Sequence, residues 1–300
     1  ILLPLQRKEL QQTGNKRKCQ SPVRIKRTSL RYPIWKGVDD MNVMITGAAG
    51  GLGRALANEC GRRGYNLFLT DINEDGLLCI RRGLERQFDV VVATAACDLT
   101  NAESVDKMLD IIDKYEICFD ILLNIAGLDF EGVFMERDRE KLVGIVLLNN
   151  AATLRITHAA INRRRPGKPF TIVFVSSLAS MFPMPLKATY AASKRFILDF
   201  ATSLRQELKR EGVSVLTLCP GGMVTTQETM CSIKAQGFWG DLTTNPLESI
   251  ARNTIDRALA GKSVYIPGIL NRFLSFLGKI IPCSWIAAMI YWRWSKVQSK

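Results

Sequence analysis

Between residues 42 and 266 the chain alternates between short apolar runs and longer stretches whose apolar residues recur three and four positions apart. The short runs occupy 42–46, 66–70, 90–95, 121–125, 170–176 and 213–218, with 263–266 as a candidate seventh. Runs of this length, rich in Val, Ile, Leu and Phe, predict strands covered on both faces. The segments 52–63, 102–115, 141–162 and 190–211 carry the helical spacing. Strands separated by helices imply βαβ units and a parallel sheet. Right-handed crossovers then restrict the topology to a doubly wound α/β sheet flanked by helices.

The two ends depart from this pattern. Residues 1–40 show no sustained periodicity and hold ten Lys/Arg against Glu9, Asp39 and Asp40, so they read as a basic, flexible extension. A transit peptide, a nucleic-acid tail, or an arm upstream of a true start at Met41 are the competing readings, and the third is preferred. Residues 268–300 mix Phe273, Phe276, Ile280, Trp285 and Trp292 with Arg272, Lys279 and Arg293, and Pro282 interrupts them. No apolar stretch there reaches the roughly 20 residues that span a bilayer. The segment therefore predicts amphipathic helices that cover a cleft or subunit interface, or that lie in the plane of a membrane. The expected organisation is an extension at 1–40, a catalytic domain at 41–267 and a C-terminal helical segment at 268–300.

The net charge of +13 changes the picture little, because more than half of it sits in the first 40 residues. Basic and aromatic residues are not interleaved as in nucleic-acid binders, so no nucleic-acid partner is expected. Eight cysteines show no framework spacing, which suits a reducing, cytoplasmic compartment, with peripheral membrane attachment as the variant reading. His158 is the only histidine, which excludes His-based triads and poly-His metal sites; no metal is expected.

Chemistry enters at the first turn. The first strand runs into Thr46-Gly47-Ala48-Ala49-Gly50-Gly51-Leu52-Gly53, and a helix follows. Gly47 permits a tight turn, Gly51 lets backbone approach a pyrophosphate, and Gly53 lets the helix pack close to the strand. The helix N-terminus offers unpaired N–H groups to the phosphates. Asp71 ends the second strand, where a carboxylate can accept from ribose hydroxyls and repel a 2′-phosphate. Ile72 follows it rather than a basic residue, so NAD(H) is expected over NADP(H); Asp71 as a simple turn cap is the alternative. Downstream, Tyr190 and Lys194 lie four residues apart on a predicted helix and so share a face. Ser177 ends the fifth apolar run, thirteen residues before Tyr190.

The spacing T-G-x-x-x-G-x-G with Y-x-x-x-K downstream resembles the short-chain dehydrogenase/reductase superfamily in its compact single-domain, Rossmann-type form, over residues 42 to 266. Asp98 matches the family's adenine-contacting Asp. Asn124-Ile125-Ala126-Gly127 resembles its N-N-A-G strand end, with Ile125 in place of the second Asn. Pro220-Gly221-Gly222-Met223-Val224-Thr225 resembles the P-G-x-x-x-T segment bordering the nicotinamide. The resemblance assigns Thr46, Gly47, Gly51, Leu52, Gly53, Asp71, Asp98, Asn124, Ala126, Gly127, Tyr190, Lys194, Pro220, Gly221 and Thr225 to cofactor binding.

It also implies the chemistry. Tyr190 exchanges a proton with the substrate oxygen as hydride moves to or from the nicotinamide, Lys194 holds the nicotinamide ribose, and Ser177 binds the substrate oxygen. A free Tyr titrates near 10, so a nearby ammonium and the positive nicotinamide ring are expected to favour phenolate. The family's fourth residue, an Asn in the preceding long helix, matches Asn149 better than its neighbour Asn150. Ser176 is expected to face the core. The implied activity is NAD(P)(H)-dependent oxidoreduction of an alcohol or ketone. An epimerase or dehydratase using the same Tyr-Lys pair, and a dinucleotide-sensing binding protein, are the alternatives. Apolar residues after Ser177 and between residues 223 and 245, among them Met181, Phe182, Met230, Phe238 and Trp239, point to a lipophilic small-molecule substrate. A homo-oligomer through the long helices is a family expectation.

Overall fold

The computed structural model describes residues 40–223 and 245–298. Seven parallel strands form one sheet in the order β3-β2-β1-β4-β5-β6-β7. They are β1 (Asn42–Thr46), β2 (Asn66–Asp71), β3 (Val92–Ala96), β4 (Ile121–Asn124), β5 (Phe170–Val175), β6 (Val213–Leu218) and β7 (Val264–Tyr265). The order reverses between β1 and β4, and that switch point opens a crevice beyond the carboxyl ends of the strands. Every residue of β1, β4 and β5 is buried, as continuous apolar runs require when helices cover both faces.

One face packs against α1 (Gly51–Arg62), α2 (Glu74–Gln87) and α7 (Leu247–Leu259) through Leu56, Cys60, Leu77, Leu84, Ile250 and Ile255. The other packs against α3 (Ala102–Lys114), α5 (Thr153–Ile161) and α6 (Ala188–Glu207) through Val105, Met108, Ile156, Ile197 and Ala201. Neither α2 nor α7 is among the four expected helical segments, although α7 buries Ile250, Ala251, Thr254, Ile255 and Ala258 at helical spacing. The first has Asn73 as a side-chain cap accepting from Gly76 N, but only Leu77 and Leu84 are buried along it.

Polar side chains pin the amino ends of the strands. Asp120 Oδ2 accepts from Asn42 N at 2.8 Å and from Arg165 at 2.9 Å, and Asn66 Nδ2 donates to Asn42 Oδ1 at 3.2 Å. These bonds fix β1, β2 and β4 in register at the end opposite the crevice.

The predicted helix over 141–162 is interrupted. It runs as α4 (Arg139–Val146), a π-helical stretch Leu147–Ala152, and then α5. In a regular helix adjacent residues point about 100° apart, yet Asn149 and Asn150 are both buried. The widened turn brings both toward α6, an arrangement frequent at functional sites.

Beyond β7 lie α8 (Ile269–Ile280) and α9 (Cys283–Gln298). Among the described residues no helix is long and apolar enough to cross a membrane. Among the described cysteines, Cys60, Cys79, Cys97, Cys219 and Cys283 are free.

Candidate active site

A cavity of about 1120 Å³ occupies the crevice, bounded at one end by Gly47, Gly51, Leu52 and Gly53 and at the other by Ser177, Tyr190 and Lys194. The glycine turn is built by close approach. Gly47 sits at φ +65, and a Cβ there would lie 2.8 Å from Ala126 Cα. At Gly53 a Cβ would fall 2.1 Å from Gly47 O, so only glycine lets the loop fold onto the helix. The first turn of α1 has neither a side-chain cap nor an acidic residue, leaving its N–H groups and positive dipole end to the cavity.

Thr46 and Asn124 stand behind this wall rather than in it. Thr46 Oγ1 accepts from Ile125 N at 3.0 Å and Ala126 N at 3.2 Å, and donates to Asn124 Oδ1 at 3.1 Å. Asn124 Nδ2 reaches Thr157 Oγ1 on α5 at 3.3 Å. Both side chains are buried, so they shape the strand ends on which the cavity rests. Ile125, the departure from the N-N-A-G pattern, needs only its backbone N–H for this network.

Asp71 lines the cavity at the end of β2, with Oδ2 accepting from Ala49 N at 2.9 Å and Oδ1 from Asn73 N at 3.0 Å. It therefore ties the glycine turn to β2 and also caps its own turn; each carboxylate oxygen keeps a further lone pair for a ligand. Asp98 also lines the cavity, held by Thr100 N at 2.9 Å and Thr100 Oγ1 at 2.6 Å. Exposed Ile72 borders the same end. These features fit a dinucleotide: N–H donors for phosphate, then carboxylates for hydroxyl and amine groups.

At the far end, Ser177 takes extended backbone after β5, and its Oγ accepts from Ala179 N at 3.1 Å. The Ser177 hydroxyl also hydrogen-bonds Tyr190. Lys194 is buried, donates from Nζ to Val175 O at 2.9 Å, and lies 5.7 Å from the centre of the Tyr190 ring. Ser176 faces inward as expected and donates to Lys194 O at 2.7 Å. Asn149 spans two elements: it bonds Leu128 N at 2.8 Å and Leu128 O at 3.0 Å, and donates to Ser193 Oγ at 2.9 Å. Asn150 instead donates to Ser193 O at 2.9 Å. A Cβ on Gly127 would sit 3.0 Å from Asn149 Oδ1 and 3.1 Å from Lys194 Nζ, so this glycine keeps the two polar groups on either side of one small gap. Pro220 and Gly221 complete the wall, while Thr225, Met230, Phe238 and Trp239 lie outside the described residues.

The protonation of Tyr190 departs from the expectation of a phenolate. Burial raises its pKa, the negative charge of Asp129 adds to this, and the Ser177 hydrogen bond opposes both. Tyr190 keeps some accessible surface along the cavity wall. The Lys194 ammonium is itself disfavoured. Burial lowers its pKa to about 8 against the opposing fields of Asp129 and Cys219.

The family model described as short chain dehydrogenase matches residues 41–235. The chain belongs to the short chain dehydrogenase family. It is 32% identical over 203 residues to a very-long-chain 3-oxoacyl-CoA reductase of Caenorhabditis briggsae, covering 65% of this chain and 63% of that protein. The chain thus spans less than two thirds of that curated relative. A short-chain dehydrogenase from Sphingobium yanoikuyae in complex with NADPH superposes with a TM-score of 0.69 at 24% identity, over 80% of this chain and 93% of that one. A 3-ketoacyl-(acyl-carrier-protein) reductase from Brucella melitensis complexed with NADH gives 0.65 at 20% identity, over 78% and 98%. Both likenesses show the fold, and the family's cofactor class is the nicotinamide dinucleotides.

In this family member the cavity also has walls that no sequence motif singles out. Leu128, Asp129, Phe130 and Glu131 follow β4 into the substrate end, opposite Leu148, Phe182 and Met184. Lys187 pairs with Asp129 at 2.7 Å and Glu131 at 3.4 Å and lies 5.6 Å from the Tyr190 ring centre. Its place three residues before Tyr190, one turn back on the same face, was the available signal.

Proposed function

We propose that the protein is a carbonyl reductase that uses a nicotinamide dinucleotide, NAD(H) in preference to NADP(H), to reduce the ketone of a lipophilic acyl substrate. The observation that carries this reading is the placement of Ser177, Tyr190 and buried Lys194 at one end of a cavity whose other end is the glycine turn.

A nicotinamide dinucleotide held along the glycine turn would supply the hydride for the carbonyl carbon. The chain's own residues do the rest. Ser177 donates to the carbonyl oxygen and orients it, and Tyr190 gives that oxygen its proton, so the ketone becomes a secondary alcohol. Lys194 holds the cofactor ribose and lends positive charge as the phenol loses its proton. Asn149 fixes the Leu128 backbone and Ser193, and so the gap between β4 and Lys194. Asp71 prefers free ribose hydroxyls to a 2′-phosphate by charge repulsion. Leu148, Phe182, Met184 and Met223 line the substrate end, which suits an acyl chain, and the similarity to a 3-oxoacyl-CoA reductase supports the same class.

Replacing Tyr190 with Phe should reduce turnover by on the order of 10²-fold or more while NADH binding, followed by its fluorescence, is retained. Survival of turnover in that variant would overturn the role given to Tyr190, whereas a biological readout that persists after turnover is lost would favour a dinucleotide-sensing protein. For the cofactor, titration should give NADH the tighter binding by about tenfold; equal affinity for NADPH would overturn the role given to Asp71.

A further inference from the structure

We infer that α8 and α9 form a docking surface for an anionic lipid bilayer. On α8 half-buried Leu270, Leu274 and Leu277 flank an apolar stripe that faces water. The inward face of the helix carries Asn271, Ser275 and Gly278, of which Asn271 and Ser275 are buried, while Ile269, Phe273, Phe276 and Ile280 are exposed. Those four large side chains are spaced four, three and four residues apart, so they form one stripe along the helix. Each of Ile269 at 80%, Phe276 at 58% and Ile280 at 63% exposure leaves most of its surface in water. On α9, Trp285, Met289 and Trp292 repeat the spacing and are also exposed.

Such a face is unfavourable without a cover, and charge selects the cover. From residue 268 to 300 the sequence has Arg272, Lys279, Arg293, Lys296 and Lys300 and neither Asp nor Glu. At the level of sequence, pairing this segment with a second copy of itself would bring like charges together. Anionic headgroups would complement them, with aromatic rings at the headgroup level and aliphatic side chains below it. Both helices are too short and interrupted to span a bilayer, so they would lie in its plane. Gly278 packs against Phe182, whose side chain lines the substrate end of the cavity, so the bound surface would flank that end. The docking itself does not depend on the substrate reading.

Co-sedimentation of the full chain with phosphatidylcholine vesicles, with and without phosphatidylglycerol, tests this. The protein should pellet with the phosphatidylglycerol vesicles and be released by high salt. Phe273→Glu together with Phe276→Glu should weaken partitioning by on the order of tenfold or more. Arg272→Glu, which leaves the apolar stripe intact, should weaken it only for the anionic vesicles. Melting curves and NADH binding check that each variant is folded. Three results would overturn the inference: no pelleting of the wild-type chain, binding unchanged in folded variants, or a wild-type dimer that Phe273→Glu dissociates without any vesicle partitioning.

Discussion

Burial acts on Tyr190 and Lys194 in opposite directions, because desolvation disfavours the charged form of each. It raises the phenol and lowers the ammonium, so at neutral pH the site holds a neutral acid beside a cation close to its own titration point. Lys194 is charged below about 8 and neutral above it. The rate of ketone reduction should therefore fall as pH rises through that value, while Tyr190 remains protonated across the window. Steady-state kinetics at saturating substrate from neutral to alkaline pH would check this, and a profile flat through pH 8 would contradict it. Residue types alone pointed to an activated phenol. They could not give its direction, since the sign depends on how many protein atoms surround the oxygen and on Asp129, which no spacing links to Tyr190.

At the scale of elements, the π-helical stretch Leu147–Ala152 separates the roles of two neighbouring asparagines. Asn149 bonds the backbone of Leu128 beside Lys194, whereas Asn150 bonds the backbone of α6. Asn149→Ala should cut kcat by on the order of 10²-fold. Asn150→Ala should leave kcat within a few-fold and cost about 1–3 kcal/mol of stability, the penalty of an unmet buried hydrogen bond. Kinetics and denaturant titration of the two variants would separate them; equal losses of kcat would show that the widened turn does not divide their work. The helix itself was legible from its apolar spacing, but the extra backbone residue in one turn was not. It is set by what α6 and β4 demand of the two side chains. Thr46 and Asn124 carry the same lesson, since motif position suggested ligand contact and tertiary packing turned both inward.

At the scale of the molecule, and among the described residues, the two core clusters contain no residue beyond Tyr265. A chain ending at Pro267 should therefore still fold and bind cofactor, with a modest loss of melting temperature from the uncovered Phe182, and should lose vesicle binding. Circular dichroism melting together with vesicle sedimentation would test both halves, and failure to fold would mean that α8 belongs to the core. The sequence by itself determined the doubly wound sheet, the glycine turn and the residues Ser177, Tyr190 and Lys194, because each follows from short-range periodicity or from a motif contiguous along the chain. The tertiary structure alone decided what Asn149 and Asn150 each bond, in which direction burial shifts the phenol, that Lys187 and Asp129 meet at the cavity, and which face of α8 is left in water. Those properties depend on desolvation and on contacts between residues tens of positions apart, and neither is written in local order.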